Sequence, residues 1–551
     1  MNKLFYGDNL DILRKFVRDE TVDLCYIDPP FNSKRNYNQI YNNIGNEDRA
    51  QAQAFVDTWT WDDHANECYD EILSNKNGVQ TAQSIALIAG LEKVLGKGSL
   101  FAYLVSMTVR IAEIHRVLKD TGSFYLHCDP TASHYLKIVC DSIFAAQGGD
   151  YKNEIIWKRA SAHNDPKKCG NIHDNLFFYA KSQKYTWNPV YTPYTQEYID
   201  AEWNALPDGR MYKCENMLDP QNKMENYEFM GTTARWRTNH DGMMAHWNAP
   251  QTIVPNSHGR IKLKRDGTPS KRCRIIFLDE MLGVPLQSIW TDIHSLRGGA
   301  KEKLGYSTQK PEILLERIIS ASSNEGDVVL DAFCGCGTTV AVANRLKRRW
   351  IGMDITYQSV ALILKRLKDS EGQAAVDNVT LHGVPQDMAS VDALINKKDD
   401  RVRKEFEKWA ILTYSDNRAV INEKKGADKG IDGVAYTRKS KDEVLPVLLS
   451  VKSGKNVGVS EVRDLFGTVK SEGAACGIYI TRTEPTKPMI EFAKQQGQFK
   501  PEHFSPFDKL QIVTVQEILD GARMNLPLME EVTKKAQKAK TDNQIGLFGG
   551  E

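Results

Sequence analysis

The sequence predicts an α/β protein built on an open, mostly parallel sheet, and three strand-like segments carry that expectation. Val22 to Ile27 is a mostly apolar run that ends in Asp28-Pro29-Pro30-Phe31. Asp327 to Asp331 is a second apolar run, which enters a glycine turn through Gly337 and then a helical pattern from Val340 to Leu346. A third run, Trp350 to Asp354, again closes on an acid. Runs this apolar suit strands buried on both faces, and each places a carboxylate at a strand's C-terminal end, where open α/β sheets gather their ligands.

The residues around these ends suggest a chemistry. Successive prolines at 29 and 30 fix φ and withhold backbone N–H donors, leaving the Pro29 carbonyl able to accept. With the Asp28 carboxylate it makes two acceptors beside the aromatic Phe31, a pattern that suits a planar ring bearing an amine. Gly335 and Gly337 let backbone approach a ligand closely, and Asp354 stands where an acid would hold ribose hydroxyls. Neither motif decides alone. Asp-Pro-Pro is also an ordinary strand-to-turn signal, and NAD enzymes use a glycine turn too, although the spacing here is not GxGxxG.

Taken together, the motifs resemble a family. Asp28-Pro29-Pro30-Phe31 is similar to the active-site motif of DNA amino-methyltransferases, and Phe333 to Gly337 resembles their FxGxG loop. The catalytic motif precedes the cofactor loop, a circular permutation that resembles the β class. Tyr6-Gly7-Asp8, Ser307 to Pro311, Gly122 to Asp129 and Asn153 to Trp157 fall where that class has further motifs, so the likeness spans Met1 to Asn396. It implies a Rossmann-like methyltransferase sheet that binds S-adenosylmethionine and acts on a base flipped from double-stranded DNA. Asp28, Pro29, Pro30 and Phe31 would be catalytic. Asp8, Lys310, Asp331, Phe333, Gly335, Gly337, Thr338 and Asp354 would hold the cofactor, with no metal in this part. Aspartate at position 28 favours the N6 amine of adenine, as a preference over the N4 amine of cytosine. A restriction or DNA-binding protein that uses this half mainly to recognise sites stays open, as does an NAD oxidoreductase. The resemblance also implies a homodimer and partner restriction or defence subunits.

Composition bounds the rest. A chain of 551 residues allows about three domains, and 72 basic against 71 acidic residues gives no hint of nucleic acid. Local charge says more. Arg260, Lys262, Lys264 and Arg265 begin a basic strip, and Arg235-Trp236-Arg237 interleaves cations with an aromatic. These residues are expected to contact DNA, within a target-recognition region at 186–297. The methyltransferase parts are expected at 1–185, with a helical insert at about 41–98, and at 298–396. Ten cysteines without a CxxC pair, no signal peptide and no long apolar segment point to a reducing, cytoplasmic setting away from membranes.

Beyond Asn396 the chain starts again. Gly430-Ile431-Asp432-Gly433, the apolar strand from Val444 to Leu449 and Ser450-Val451-Lys452 resemble the PD-(D/E)xK nucleases, particularly their Mrr-type branch. The resemblance implies a restriction endonuclease-like domain at 397–530, a site at Asp432, Ser450 and Lys452, and Mg2+ at Asp432. Ser450 departs from the acid or glutamine of the family, which removes a strong oxygen ligand; Glu461 and Asp428 are the candidate replacements. The last segment, 531–551, lacks a core and reads as a tail.

Overall fold

The computed structural model describes residues 2–30, 35–40, 51–57, 59–161, 167, 169–221, 223–297, 299–396, 400–422, 430–441, 443–454, 457–533 and 535–537, with backbone alone at 35–40, 51–57 and 400–403. Two compact units emerge, one formed by Met1–Asn188 with Ser288–Lys540 and the other by Pro189–Gln287.

The first unit holds a sheet of nine strands among the described residues. Their order is Ile289–Trp290, Asp150–Lys158, His173–Ala180, Leu118–Cys128, Val22–Ile27, Val328–Asp331, Arg349–Asp354, Asn2–Tyr6 and Val379–His382. All neighbours run parallel except His173–Ala180, which is antiparallel to both of its partners. Val22–Ile27 lies at the centre and is buried throughout, as its unbroken apolar character requires. Its neighbour in the sheet, Val328–Asp331, comes from far along the sequence, so the Asp-Pro-Pro and glycine motifs meet side by side.

One face of the sheet is covered by the helix Ser99–Val117, whose residues are almost all buried, with Tyr103, Leu104, Met107 and Ile111 in the main core. A helix this apolar all round belongs inside a protein. It carries one cation inward: Arg110 bonds Asn9 Oδ1 at 2.6 Å, Ser106 Oγ at 2.7 Å and Asp8 Oδ2 at 2.8 Å, so the buried guanidinium is paired.

Two expectations change here. The segment at 41–98, expected as a helical insert, contains a strand, Gln51–Asp57, which pairs antiparallel with Arg35–Ile40 just ahead of the segment, before the helices Asp63–Ser74 and Ala82–Leu95. Arg35–Ile40 is polar and lacks an apolar alternation, so pairing of its backbone defines it, whereas Gln51–Asp57 sets Ala52, Ala54 and Val56 at every second position. Residues 288–297, expected in the recognition region, rejoin the main sheet: Ile289–Trp290 pairs with Asp150–Lys158, and Trp157 Nε1 donates to the Ile293 carbonyl at 2.9 Å.

After Asn396 the helix Asp400–Tyr414 leads into a second sheet, ordered Ala419–Ile421, Gly433–Arg438, Val444–Lys452, Cys476–Thr481 and Leu510–Thr514. The helix Val459–Ser471 packs on it through Val462, Leu465, Phe466 and Val469. Among the described residues no helix is long and apolar enough to cross a membrane.

The second unit is an antiparallel sheet around Pro269–Phe277 and Met211–Glu215, with a hairpin of Asn226–Phe229 and Thr232–Arg235. Its cores are small, one around Trp236, Phe229 and Ile261 and another around Cys273, Ile275 and Phe277. Cys214 and Cys273 form a disulfide between adjacent strands of this sheet. That corrects the expectation of uniformly reduced cysteines, because strand pairing brings together two residues distant in sequence; the other eight are free thiols.

Candidate functional site

Three acids stand at the C-terminal ends of adjacent strands, Asp28 after Val22–Ile27, Asp331 on Val328–Asp331 and Asp354 on Arg349–Asp354. Asp28 receives the ammonium of Lys310 on Oδ2, while its Oδ1 is buried without a hydrogen-bond partner among the described residues. A buried acceptor left open costs free energy, so it marks a place where a donor from outside belongs. Pro29 is buried beside it and Pro30 half-buried; Phe31 lies outside the described residues.

The glycine turn is built around the other two acids. Asp331 accepts from the Phe333 N–H at 2.9 Å, and Asp354 accepts from the Gly335 N–H at 2.9 Å and the Thr356 N–H at 3.0 Å. Gly335 and Gly337 have φ of +51° and +74°, conformations that side chains rarely adopt. The helix Thr338–Arg345 starts directly after the turn, so its free N–H groups face the strand ends. Buried Thr338 donates to the Lys310 carbonyl at 3.3 Å, tying the Lys310 segment to the turn. Burial pushes the Asp331 carboxyl up to about 7 against the opposing hydrogen bonds from Thr339 and Phe333, and the charges of Asp28 and Asp354 add to the rise. Asp354 is pushed up to about 6 by burial, opposed by the bonds from Thr356 and Gly335.

This raises a stability expectation. Between its ordinary value of 3.8 and about 7, folded Asp331 holds a proton that the unfolded chain has lost. Stability therefore falls as pH rises through that window. Asp331→Asn is expected to flatten the slope of urea-unfolding midpoints between those pH values; an unchanged slope would assign it to other groups.

Asp8 caps the helix Asn9–Phe16, accepting from the Leu10 N–H at 2.9 Å, and also takes Arg110 on Oδ2. Burial opposes ionisation there, but Arg110 and the helix N–H groups hold the carboxyl below its ordinary range. Asn9 Nδ2 reaches the Ala332 carbonyl at 2.7 Å, which links this cap to the glycine turn. Asn9 and Arg110 were missed in the sequence because a lone Asn or a helical Arg carries no motif. On the other side of Asp28 lies a buried chain: Tyr26 Oη bonds His127 Nδ1 at 2.8 Å, His127 Nε2 lies 3.2 Å from Asp174, and Asp174 accepts from Arg159 at 2.8 Å. Burial works against the charge on Asp174, yet His127, Lys310 and Arg159 hold its carboxyl below the ordinary range.

The candidate DNA contacts fare unequally. Arg260 is drawn inward, with Nη2 2.6 Å from Glu280 and its guanidinium 4.5 Å above the Phe277 ring, so it is not the open phosphate contact expected. Trp236 is fully buried and has no face for a base. Arg235 is half-buried, and its Nε is buried without a partner among the described residues. Arg237, Lys264 and Arg265 are exposed and Lys262 half-buried. Lys264 Nζ lies 3.2 Å from Thr268 Oγ1.

In the C-terminal domain, Asp432 Oδ2 accepts from the Val451 N–H at 2.7 Å, and buried Ser450 donates to the Gly430 carbonyl at 2.8 Å. Lys452 ends the same strand. Glu461 is engaged in capping its own helix, accepting from the Gly458 N–H at 2.9 Å, and Asp428 lies outside the described residues. No group of three or more His, Cys, Asp or Glu able to hold a metal occurs among the described residues.

The mostly parallel sheet carries the glycine turn and the Asp-Pro-Pro string, in permuted chain order, at neighbouring strand ends. Residues 22–365 match the DNA methylase family model, and the chain belongs to that family. Residues 402–518 match a restriction endonuclease model, so the C-terminal sheet is a restriction endonuclease-like fold. The chain is 26% identical to the type II methyltransferase M.EcaI of Enterobacter cloacae, across 48% of this chain and 57% of that protein. It is 27% identical to the type III restriction-modification enzyme StyLTI Mod subunit of Salmonella typhimurium, across 61% and 49%. The DNA adenine methyltransferase YhdJ of Escherichia coli is 25% identical, across 66% and 82%. The chain thus spans about half the length of the first two relatives. Among solved structures, an M1.HpyAVI-SAM complex aligns over 67% of this chain and 99% of its own, with 14% identity and a TM-score of 0.31.

Proposed function

We propose that this chain is a site-specific DNA methyltransferase that modifies the N6 amine of a flipped adenine, with S-adenosylmethionine as the methyl donor, in a restriction-modification or phage-defence setting. The observation that carries the proposal is the open, buried Oδ1 of Asp28 at the central strand end, beside a glycine turn and two further acids. The residues fit the cofactor: Asp354 for ribose hydroxyls, Asp8 for the adenine amine, the Phe333 to Gly337 backbone with Asp331 and Thr338 around the methionine portion, and Lys310 for its carboxylate.

When bound, the cofactor supplies an electrophilic methyl group on a sulfonium. The chain's own residues do the rest. An adenine amine is a weak nucleophile because its lone pair is delocalised into the ring. Asp28 Oδ1 and the Pro29 carbonyl would accept its two hydrogens, which turns the lone pair out of the ring plane toward the methyl. The nitrogen would then be placed to take the methyl group from the sulfonium, and the proton it sheds afterwards would leave along its hydrogen bond to Asp28 Oδ1. Rate comes from alignment and fixed electrostatics, with no covalent intermediate. Extruding the base costs a few kcal/mol, part of which Phe31 would recover by stacking.

Double-stranded DNA is the proposed partner, contacted by the exposed cations Arg237, Lys264 and Arg265; a homodimer and restriction subunits are further proposed partners. No hydrolytic step is assigned to the C-terminal domain. The test is sequencing of native plasmid DNA from a methylation-free host that expresses the chain. N6-methyladenine in one recurring motif is expected. N4-methylcytosine instead would move the target to cytosine, and no mark at all would overturn the proposal.

A further inference from the structure

The helix Asp400–Tyr414 opens the C-terminal domain, lies almost wholly inside the segment matched to the restriction endonuclease model, and packs against the helix Tyr357–Glu371 of the methylase part. Two hydrogen bonds fasten it there. Glu405 accepts from the Tyr357 N–H at 2.8 Å, and Thr413 Oγ1 bonds the Tyr357 hydroxyl at 2.9 Å. Tyr357 is buried between them, and Glu405 is further held by Lys408 at 3.0 Å.

What Tyr357 begins gives these contacts their meaning. Its N–H is one of the free donors at the start of its helix, where a carboxylate is favourable. The residue before it, Thr356, caps that helix and gives both its N–H, at 3.0 Å, and its hydroxyl, at 3.1 Å, to Asp354. Asp354 in turn receives the Gly335 N–H of the glycine turn. Tyr6, paired in register with Asp354, sets its ring edge-on to Tyr357 at 6.2 Å, and the Gly7 N–H donates to the Asp354 carbonyl at 3.0 Å. An unbroken line of hydrogen bonds and ring contacts thus runs from the C-terminal domain to the acid and the turn proposed to hold the cofactor.

We infer that Glu405, with Thr413, is a positioning residue for the cofactor site, so that the restriction endonuclease-like domain forms the supporting wall of the methylase's own pocket. Glu405 acts through Tyr357 and Thr356 on Asp354. Loosening it lets the start of the Tyr357 helix drift and costs Asp354 its fixed aim at the ribose. Linkage requires the reverse as well, so a ligand that fixes Asp354 tightens the Asp400–Tyr414 helix. The inference rests on the cofactor reading above and adds a role for the second domain that needs no DNA cleavage.

The experiment uses the full-length chain and S-adenosylhomocysteine as the probe. Calorimetric titration is expected to show Glu405→Ala binding about tenfold more weakly than the wild type, the size of one net hydrogen bond, with Glu405→Gln recovering most of the loss because its carbonyl still accepts. Thr413→Val is expected to weaken binding in the same direction and serves if the alanine variant does not fold. In the wild type the ligand is expected to slow amide exchange across residues 404–414. A merely structural contact would lower the melting temperature of the variants and leave both affinity and ligand-induced protection untouched, and that result overturns the inference. If the wild type binds no S-adenosylhomocysteine, the cofactor reading beneath it falls instead.

Discussion

Asp28→Ala is expected to lower the single-turnover rate of methyl transfer by about 10²–10³-fold, the cost of removing one preorganised polar contact at a reacting centre, with little change in S-adenosylhomocysteine affinity. The acceptor lost is the buried Oδ1 that no group in the described chain satisfies. Asp28→Asn sharpens the point. Lys310 sits on Oδ2, so it would draw the carboxamide oxygen to itself and turn the NH2 into the place of Oδ1. Two donors, that NH2 and the target amine, would then meet. The isosteric variant is therefore expected to be about as slow as alanine, although it preserves volume. Transfer of a labelled methyl group to a duplex carrying the methylated motif's sequence measures both, and near-wild-type turnover by either variant would remove Asp28 from the reaction.

Gly337→Val is expected to cost several kcal/mol of stability, from about 1–3 kcal/mol for a left-handed side-chain residue and about 1–3 kcal/mol for overpacking. At this position φ is +74°, and a Cβ would stand 2.6 Å from Ile363 Cγ1, a contact no real side chain tolerates. Ile363 is fully buried in the helix that starts at Tyr357, so it has no room to yield without moving the element that carries the cofactor site. Gly326→Ala separates the two contributions: its φ is +84°, but nothing lies within 4 Å of the new Cβ, so backbone strain alone is expected. Chemical unfolding of both variants, followed by cofactor titration of whatever stays folded, checks the ordering. Equal losses would show that the packing against Ile363 is slack.

The cofactor-side geometry was legible because burial and backbone constraints are local. Runs as apolar as Val22 to Ile27 and Asp327 to Asp331 have to be interior strands, and the acid that ends each one has to stand at the sheet's rim. A glycine pair in a turn before a helical pattern likewise implies left-handed backbone, and Gly335 and Gly337 adopt it. The polar strand Arg35–Ile40 was not legible, since only its pairing with Gln51–Asp57 makes it a strand. The charge strip misled at Arg260 for a related reason: a sequence shows a cation, but not the Glu280 that the fold sets against it.

The sequence by itself thus determined the interior strands, the glycine turn and the types of group at their ends, because hydrophobic periodicity and the φ limits of proline and glycine act within a few residues. Only the tertiary structure decided which groups face one another. Lys310 reaches Asp28, Arg110 reaches Asp8 and Asn9, Cys214 meets Cys273 and Glu405 fastens Tyr357. Each of these pairs is distant in sequence, and each is brought together by sheet order and helix packing, which burial across the whole chain settles rather than any local propensity.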